Sequence, residues 1–113
     1  MLNQVVLVGR LTDDPQVITT ENGKKVSTIV LAVQRTFKNQ DGLYETDFIR
    51  CILWNAIASS TCEYCHKGDI VGLKGRLQTS NYQTEDGTKK YVTEVIAEKV
   101  TFLSGNKNQE EKE

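Results

Sequence analysis

Apolar and polar side chains alternate along most of the chain. From Asn3 to Leu11 every second position (Val5, Leu7, Gly9, Leu11) falls on one side, which predicts a half-buried strand. Val26 to Arg35 repeats the period with Ile29, Leu31 and Val33 together, and its β-branched content suits a pleated surface. Asp47 to Trp54, Asp69 to Thr79 and Lys90 to Leu103 predict three more strands. The pairs Asn22-Gly23, Asp41-Gly42 and Asp86-Gly87 supply the positive-φ residues that tight hairpins require. One stretch changes period. Ala58, Cys62 and Cys65 recur at helical spacing, so a helix is expected over Asn55 to Cys65, capped by Asn55 and stopped by Gly68.

Three strands, a short helix and two strands make an all-β chain with the element order of a five-stranded Greek-key barrel, the OB-fold, whose one short helix lies between strands 3 and 4. Residues 1–104 are expected to form this single domain, and residues 105–113, which carry no apolar side chain, a short disordered polar tail. The 113 residues include 14 basic and 15 acidic side chains, a net charge of −1. That balance argues against coating duplex DNA through bulk positive charge, but it leaves room for a local basic groove lined with aromatics. No apolar run reaches the ~18 residues of a membrane span, and the N-terminus has no signal-peptide pattern, so a cytoplasmic, nucleoid-associated protein without a membrane partner is expected. In that compartment the three cysteines should be free thiols.

The third strand carries the most chemistry. Its alternation puts Ile49, Cys51 and Leu53 on a core face and Phe48, Arg50, Ile52 and Trp54 on the other. Two large aromatics around a guanidinium make a poor core and a good platform, because bases stack on aromatic faces while cations meet phosphates. Lys74, Arg76 and Gln78 share a face of the fourth strand, Tyr82 follows in the loop, and Lys89 and Lys90 lie past the turn. Arg35-Thr36-Phe37-Lys38 again brackets an aromatic with cations. Any one of these is more often a half-exposed strand residue than a ligand contact. Four aromatics with neighbouring cations on one small barrel favour binding. Cys62-Glu63-Tyr64-Cys65-His66 has the C-x-x-C-H spacing of haem attachment, yet no export signal accompanies it and the sole methionine is the initiator. A zinc site from the same residues and Cys51 would lack a second paired motif, so no metal or cofactor is expected. With one histidine and neither a nucleophile–base pair nor a Gly-rich phosphate loop, the chain reads as a binding module rather than an enzyme.

The segments Val5-Val6-Leu7-Val8-Gly9-Arg10-Leu11 with Asp14-Pro15, Tyr64 to Val71, Gly75-Arg76-Leu77-Gln78-Thr79 and Tyr91-Val92-Thr93-Glu94-Val95 lie in order across the body. Together they resemble the bacterial single-stranded DNA-binding proteins. That resemblance implies a homotetramer that binds and protects single-stranded DNA, without sequence preference, in replication, recombination, repair or DNA uptake (competence). It implies stacking by Phe37, Phe48, Trp54 and Tyr82, and beside them phosphate contacts are expected from Arg10, Arg35, Lys38, Arg50, Lys74, Arg76, Lys89 and Lys90. The oligomer interface would be the outward side of the first strand: Leu2, Gln4, Val6 and Val8. Family members often carry tryptophan where Phe37, Phe48 and Tyr82 stand, and an arginine within what is here Gln16-Val17-Ile18-Thr19. The last residues, Gln109-Glu110-Glu111-Lys112-Glu113, lack the apolar pair that closes the acidic tip of replicative members. They resemble the short paralogues, for which no tail-mediated recruitment of repair enzymes is expected. The alternative is an OB-fold primosomal or adaptor protein acting mainly through protein contacts.

Overall fold

The three expected turns are copies of one device. In each, a residue donates its N–H to the carbonyl four positions on, and a glycine closes back onto it: Thr20 with Lys24 and Gly23, Asn39 with Leu43 and Gly42, Thr84 with Thr88 and Gly87. The glycines have φ of 83°, 78° and 86°, the left-handed conformation that ends a three-residue hairpin loop. The structure is a computed structural model that describes residues 1–103. The tail expected over residues 105–113 lies outside the described residues.

The turns join long strands. The elements are β1 (Val5–Leu11), β2 (Ile18–Thr19), β3 (Lys25–Lys38), β4 (Tyr44–Trp54), α1 (Asn55–Tyr64), β5 (Ile70–Gln83) and β6 (Lys89–Phe102). Their order across the sheet is β1-β5-β6-β4-β3-β2, and a further β1–β3 pairing closes β1, β3, β4, β5 and β6 into a barrel. The fold is the OB-fold, with its helix between the third and fourth barrel strands. Closure depends on Gly9. β1 pairs with β5 from Val5 to Arg10, then turns onto β3 through Arg10 opposite Ala32 and Leu11 opposite Leu31. A Cβ at position 9 would stand 2.7 Å from the Ala32 oxygen and 2.9 Å from a Val33 methyl. Gly75 does the same at the β5–β6 register shift, where a Cβ would overlap the Ile96 carbonyl oxygen. Asn3 extends β1 with its side chain, whose amide both donates to and accepts from the Leu77 backbone at 2.9 and 2.8 Å.

The alternating faces close on one core. Leu11, Ile29, Leu31, Cys51, Leu53, Val71, Leu73, Val95 and Ala97 are buried with Ala58 and Cys65 from the helix segment. The structure corrects several details. Among the described residues a short strand outside the five of the barrel is added, because Ile18–Thr19 pairs with Val26 and Lys25. β3, β4 and β5 run further into the hairpins than the sequence suggested, which puts Tyr82 inside β5, opposite Lys90, and not in a loop. Asn55 does not cap the helix; Trp54 holds the cap position without a side-chain bond. The chain passes from β4 into α1 without a loop, with Asn55 in the left-handed region (φ 54°), and the Asn55 Oδ1 accepts instead from the Lys25 N–H. The helix ends at Tyr64, and its buried positions are Ala58 and Thr61. Cys62 sits half-buried one position around, its thiol donating to Ser27 Oγ at 3.5 Å.

Candidate nucleic-acid interface

The register of the barrel assembles one outward face from three strands. On β4, alternation projects Phe48, Arg50, Ile52 and Trp54 outward, opposite Ala32, Val30, Thr28 and Val26 of β3. A short parallel pairing sets Ile52 beside Ile96 of β6, and Ile96 in turn lies opposite Arg76 of β5. The next rows along the β5–β6 hairpin are Gln78 with Glu94, Ser80 with Val92, and Tyr82 with Lys90, all of one parity. The face therefore carries Phe48, Trp54 and Tyr82 with Arg50, Arg76 and Lys90. Phe48 is 68% exposed, Tyr82 56% and Trp54 39%, whereas Ile52 is buried between its neighbours on the same face. Three aromatics that remain exposed while an aliphatic neighbour is covered form a stacking surface, not a core that failed to close.

Its two arginines are held by internal partners. The Arg50 Nε donates to Glu94 Oε2 at 2.6 Å across the β4–β6 seam, and the Arg76 Nη1 donates to Gln78 Oε1 at 2.8 Å. Arg10 adjoins the face through the row Arg10–Ala32–Phe48 and donates to the Gly68 carbonyl at 3.0 Å. A cleft of about 450 Å³, lined by Arg10, Ala32, Gln34 and Thr46 among others, lies beside this row.

Other sequence candidates stand elsewhere. The β3–β4 register shifts between Gln34 and Lys38, so that Lys38 faces Tyr44, its Nζ 5.8 Å from the ring centroid. Phe37, the next residue, therefore points to the reverse of the hairpin. Arg35 lies on that reverse side too, with Nη1 2.9 Å from Glu45 and Nη2 2.9 Å from Asp47. The hydrogen bond from Arg35 holds the Asp47 carboxyl below the ordinary carboxylate range, and Asp47 in turn raises the Arg35 pKa. Lys89, opposite Gln83, has the parity opposite to Lys90. Lys74 stands opposite Val6 of β1 and Lys99 of β6, beside the first strand and not among the aromatics. Glu94 escaped the sequence reading, although the β6 alternation Lys90, Val92, Glu94, Ile96 carries it.

The C-x-x-C-H residues differ in burial across the helix end, with Cys62 half-buried. Cys65 is buried, with its thiol pushed up to about 11 chiefly by burial, and Cys51 is pushed up to about 12 for the same reason. His66 is exposed, 3.9 Å from Asp69. Among the described residues no group of three His, Cys, Asp or Glu side chains is placed to hold a metal ion.

A model of the single-strand binding protein family matches residues 2–103. The chain belongs to this family. The single-stranded DNA-binding protein of Bacillus cereus is 52% identical over 103 residues, which cover 91% of this chain and 61% of that protein. The single-stranded DNA-binding protein B of Bacillus subtilis is 50% identical over 103 residues and covered to 91%, as is this chain. Protein 3 of that name from Listeria innocua is 48% identical over 108 residues, with 96% of this chain and 68% of that protein covered. The chain spans about three fifths of the length of the Bacillus cereus and Bacillus anthracis relatives, 61% and 59%. In this family member the matched region takes in every barrel strand and the whole outward face.

Proposed function

We propose that the protein binds single-stranded DNA without sequence preference, stacking bases on Phe48, Trp54 and Tyr82 and meeting phosphates with Arg50, Arg76 and Lys90. The observation that carries this reading is the single face on which β4, β5 and β6 bring those six side chains together. Every base has a π surface to stack, so a platform of aromatics tolerates any sequence. Arg10 and Lys38 extend the cationic path at its margins. The protein acts by binding, not by catalysis, wherever single strands are exposed on the nucleoid during replication, recombination, repair or uptake.

Assembly belongs to the same reading. β1 pairs with β5 on one side, but with β3 only at Arg10 and Leu11, so much of its other edge is free. Leu2, Gln4, Val6 and Val8 point outward beside that edge, with Val6 69% and Val8 56% exposed. A free strand edge flanked by apolar side chains suits pairing about a two-fold axis, and a homotetramer would use this contact.

Trp54 is the only tryptophan and so reports on its own site. Oligo-dT should quench its fluorescence, and a duplex of equal length should not. Stacking contributes about 1–3 kcal/mol per base, so Trp54→Ala should weaken oligo-dT binding by about 5- to 150-fold. Equal quenching by both ligands, or none, removes the face from consideration.

A further inference from the structure

The centre of the outward face holds a carboxylate where phosphate is expected. Glu94 is only 15% exposed, while the Arg50 it holds is 56% exposed. The 2.6 Å bond engages the Arg50 Nε side-on, and among the described residues no hydrogen bond reaches either terminal nitrogen of that guanidinium. Arg50 is thus fixed in direction and offset in charge. Arg76, the other guanidinium of the face, is held by the neutral amide of Gln78, which lies opposite Glu94. One arginine of the pair keeps its field and the other loses it.

We propose that Glu94 is a specificity-determining residue that cancels the charge of Arg50 and so weakens the hold of phosphates alone on this face. The inference rests on the proposed single-strand binding face and names how that face rejects duplex. A duplex offers phosphates at high density but keeps its bases stacked, and its non-specific binding is almost wholly electrostatic. A single strand also gains stacking on Phe48, Trp54 and Tyr82, which does not depend on the Arg50 charge. Removing net charge at the centre of the face therefore costs the duplex more than the single strand. Arg50 still donates its terminal N–H groups to a phosphate, as a directional contact with little counterion release.

The test compares wild type, Glu94→Gln and the double variant Arg50→Gln/Glu94→Gln, each titrated with labelled oligo-dT and with a duplex of equal length over a salt series. Glutamine keeps an oxygen that accepts from the Arg50 Nε, so E94Q removes the charge while preserving the arginine's orientation. E94Q should bind oligo-dT about two- to fivefold more tightly at low salt. Its log K against log[salt] should steepen by about 0.7, the increment for one single-strand phosphate contact. Duplex binding should rise by a larger factor, lowering discrimination. The double variant replaces a cancelled pair with a neutral one, so its salt slope should match wild type even if E94Q proves unstable. Either an E94Q slope equal to wild type or a double-variant slope shallower by about 0.7 overturns the inference, since each means that Arg50 already acts at full charge. The wild-type Trp54 quench with oligo-dT is read in the same titration. Its absence refutes the binding face itself, whereas its presence with unchanged slopes refutes only the role of Glu94.

Discussion

At the scale of single residues, environment separates side chains of the same type. Phe48 and Phe37 are exposed to nearly the same extent, 68% and 64%, yet only Phe48 shares a face with Trp54 and Tyr82. Phe48→Ala should therefore weaken oligo-dT binding by about 5- to 150-fold, and Phe37→Ala by clearly less, as measured by direct titration. Equal losses would show that the strand also covers the reverse of the β3–β4 hairpin. The thiols divide in the same way. Burial raises Cys51 to about 12 and Cys65 to about 11, while Cys62 is half-buried. Because the thiolate is the nucleophile, iodoacetamide at neutral pH should label Cys62 first and the other two only after unfolding, which peptide mass spectrometry would read. The sign of the pH effect follows. Unfolded thiols lose their protons near 9.0, whereas native Cys51 keeps its proton to about 12. Stability should therefore fall as pH rises across that window, and Cys51→Ala should flatten the fall in denaturant midpoints.

At the scale of elements, two glycines and one ion-pair cluster shape the strands that carry the site. A methyl at Gly75 overlaps the Ile96 carbonyl at the β5–β6 register shift, just before Arg76. The obstruction is backbone and cannot rotate away. Gly75→Ala should cost about 1–3 kcal/mol or more in urea unfolding, by the usual penalty for overpacking. Gly9→Ala should cost less, since one of its two near neighbours is a Val33 methyl that can move. The β3–β4 hairpin depends on charge instead, through Arg35 with Asp47 and Glu45. Asp47 has a depressed carboxyl pKa, so its contribution is present above the ordinary carboxylate value and lost as pH falls through the native one. Amide exchange in the hairpin, corrected for intrinsic rates, should accelerate on acidification before the barrel strands respond. Uniform protection across both would refute this.

At the scale of the whole molecule, β1 borders the aromatic face only at its end, where Arg10 lies opposite Ala32, while Val6 stands opposite Lys74. Light scattering at micromolar concentration should give the mass of four chains. Val6→Lys should reduce it while leaving the Trp54 quench by a short oligo-dT in place, since Val6 stands opposite Lys74 and away from the aromatics of the β4–β5–β6 face. A wild-type monomer would refute the assembly, and loss of the quench would show that the two surfaces are coupled.

The sequence by itself determined the strand faces, the three glycine turns and the helix between barrel strands, because period, turn chemistry and spacing are local properties of the chain. Phe48, Arg50 and Trp54 were legible as one face for the same reason: residues two apart on a strand always share a side. Tertiary structure alone decided which strands meet. Only the β4–β6 and β5–β6 registers could add Arg76, Tyr82 and Lys90 to that face, and only the β3–β4 register shows that the outward side of β3 is that of Ala32, Gln34 and Lys38 and not that of Phe37. The pairing of Arg50 with Glu94 spans 44 positions, and that of Arg35 with Asp47 crosses a hairpin. Period two says which side a charge is on. It is strand pairing that supplies the opposite charge within hydrogen-bond reach.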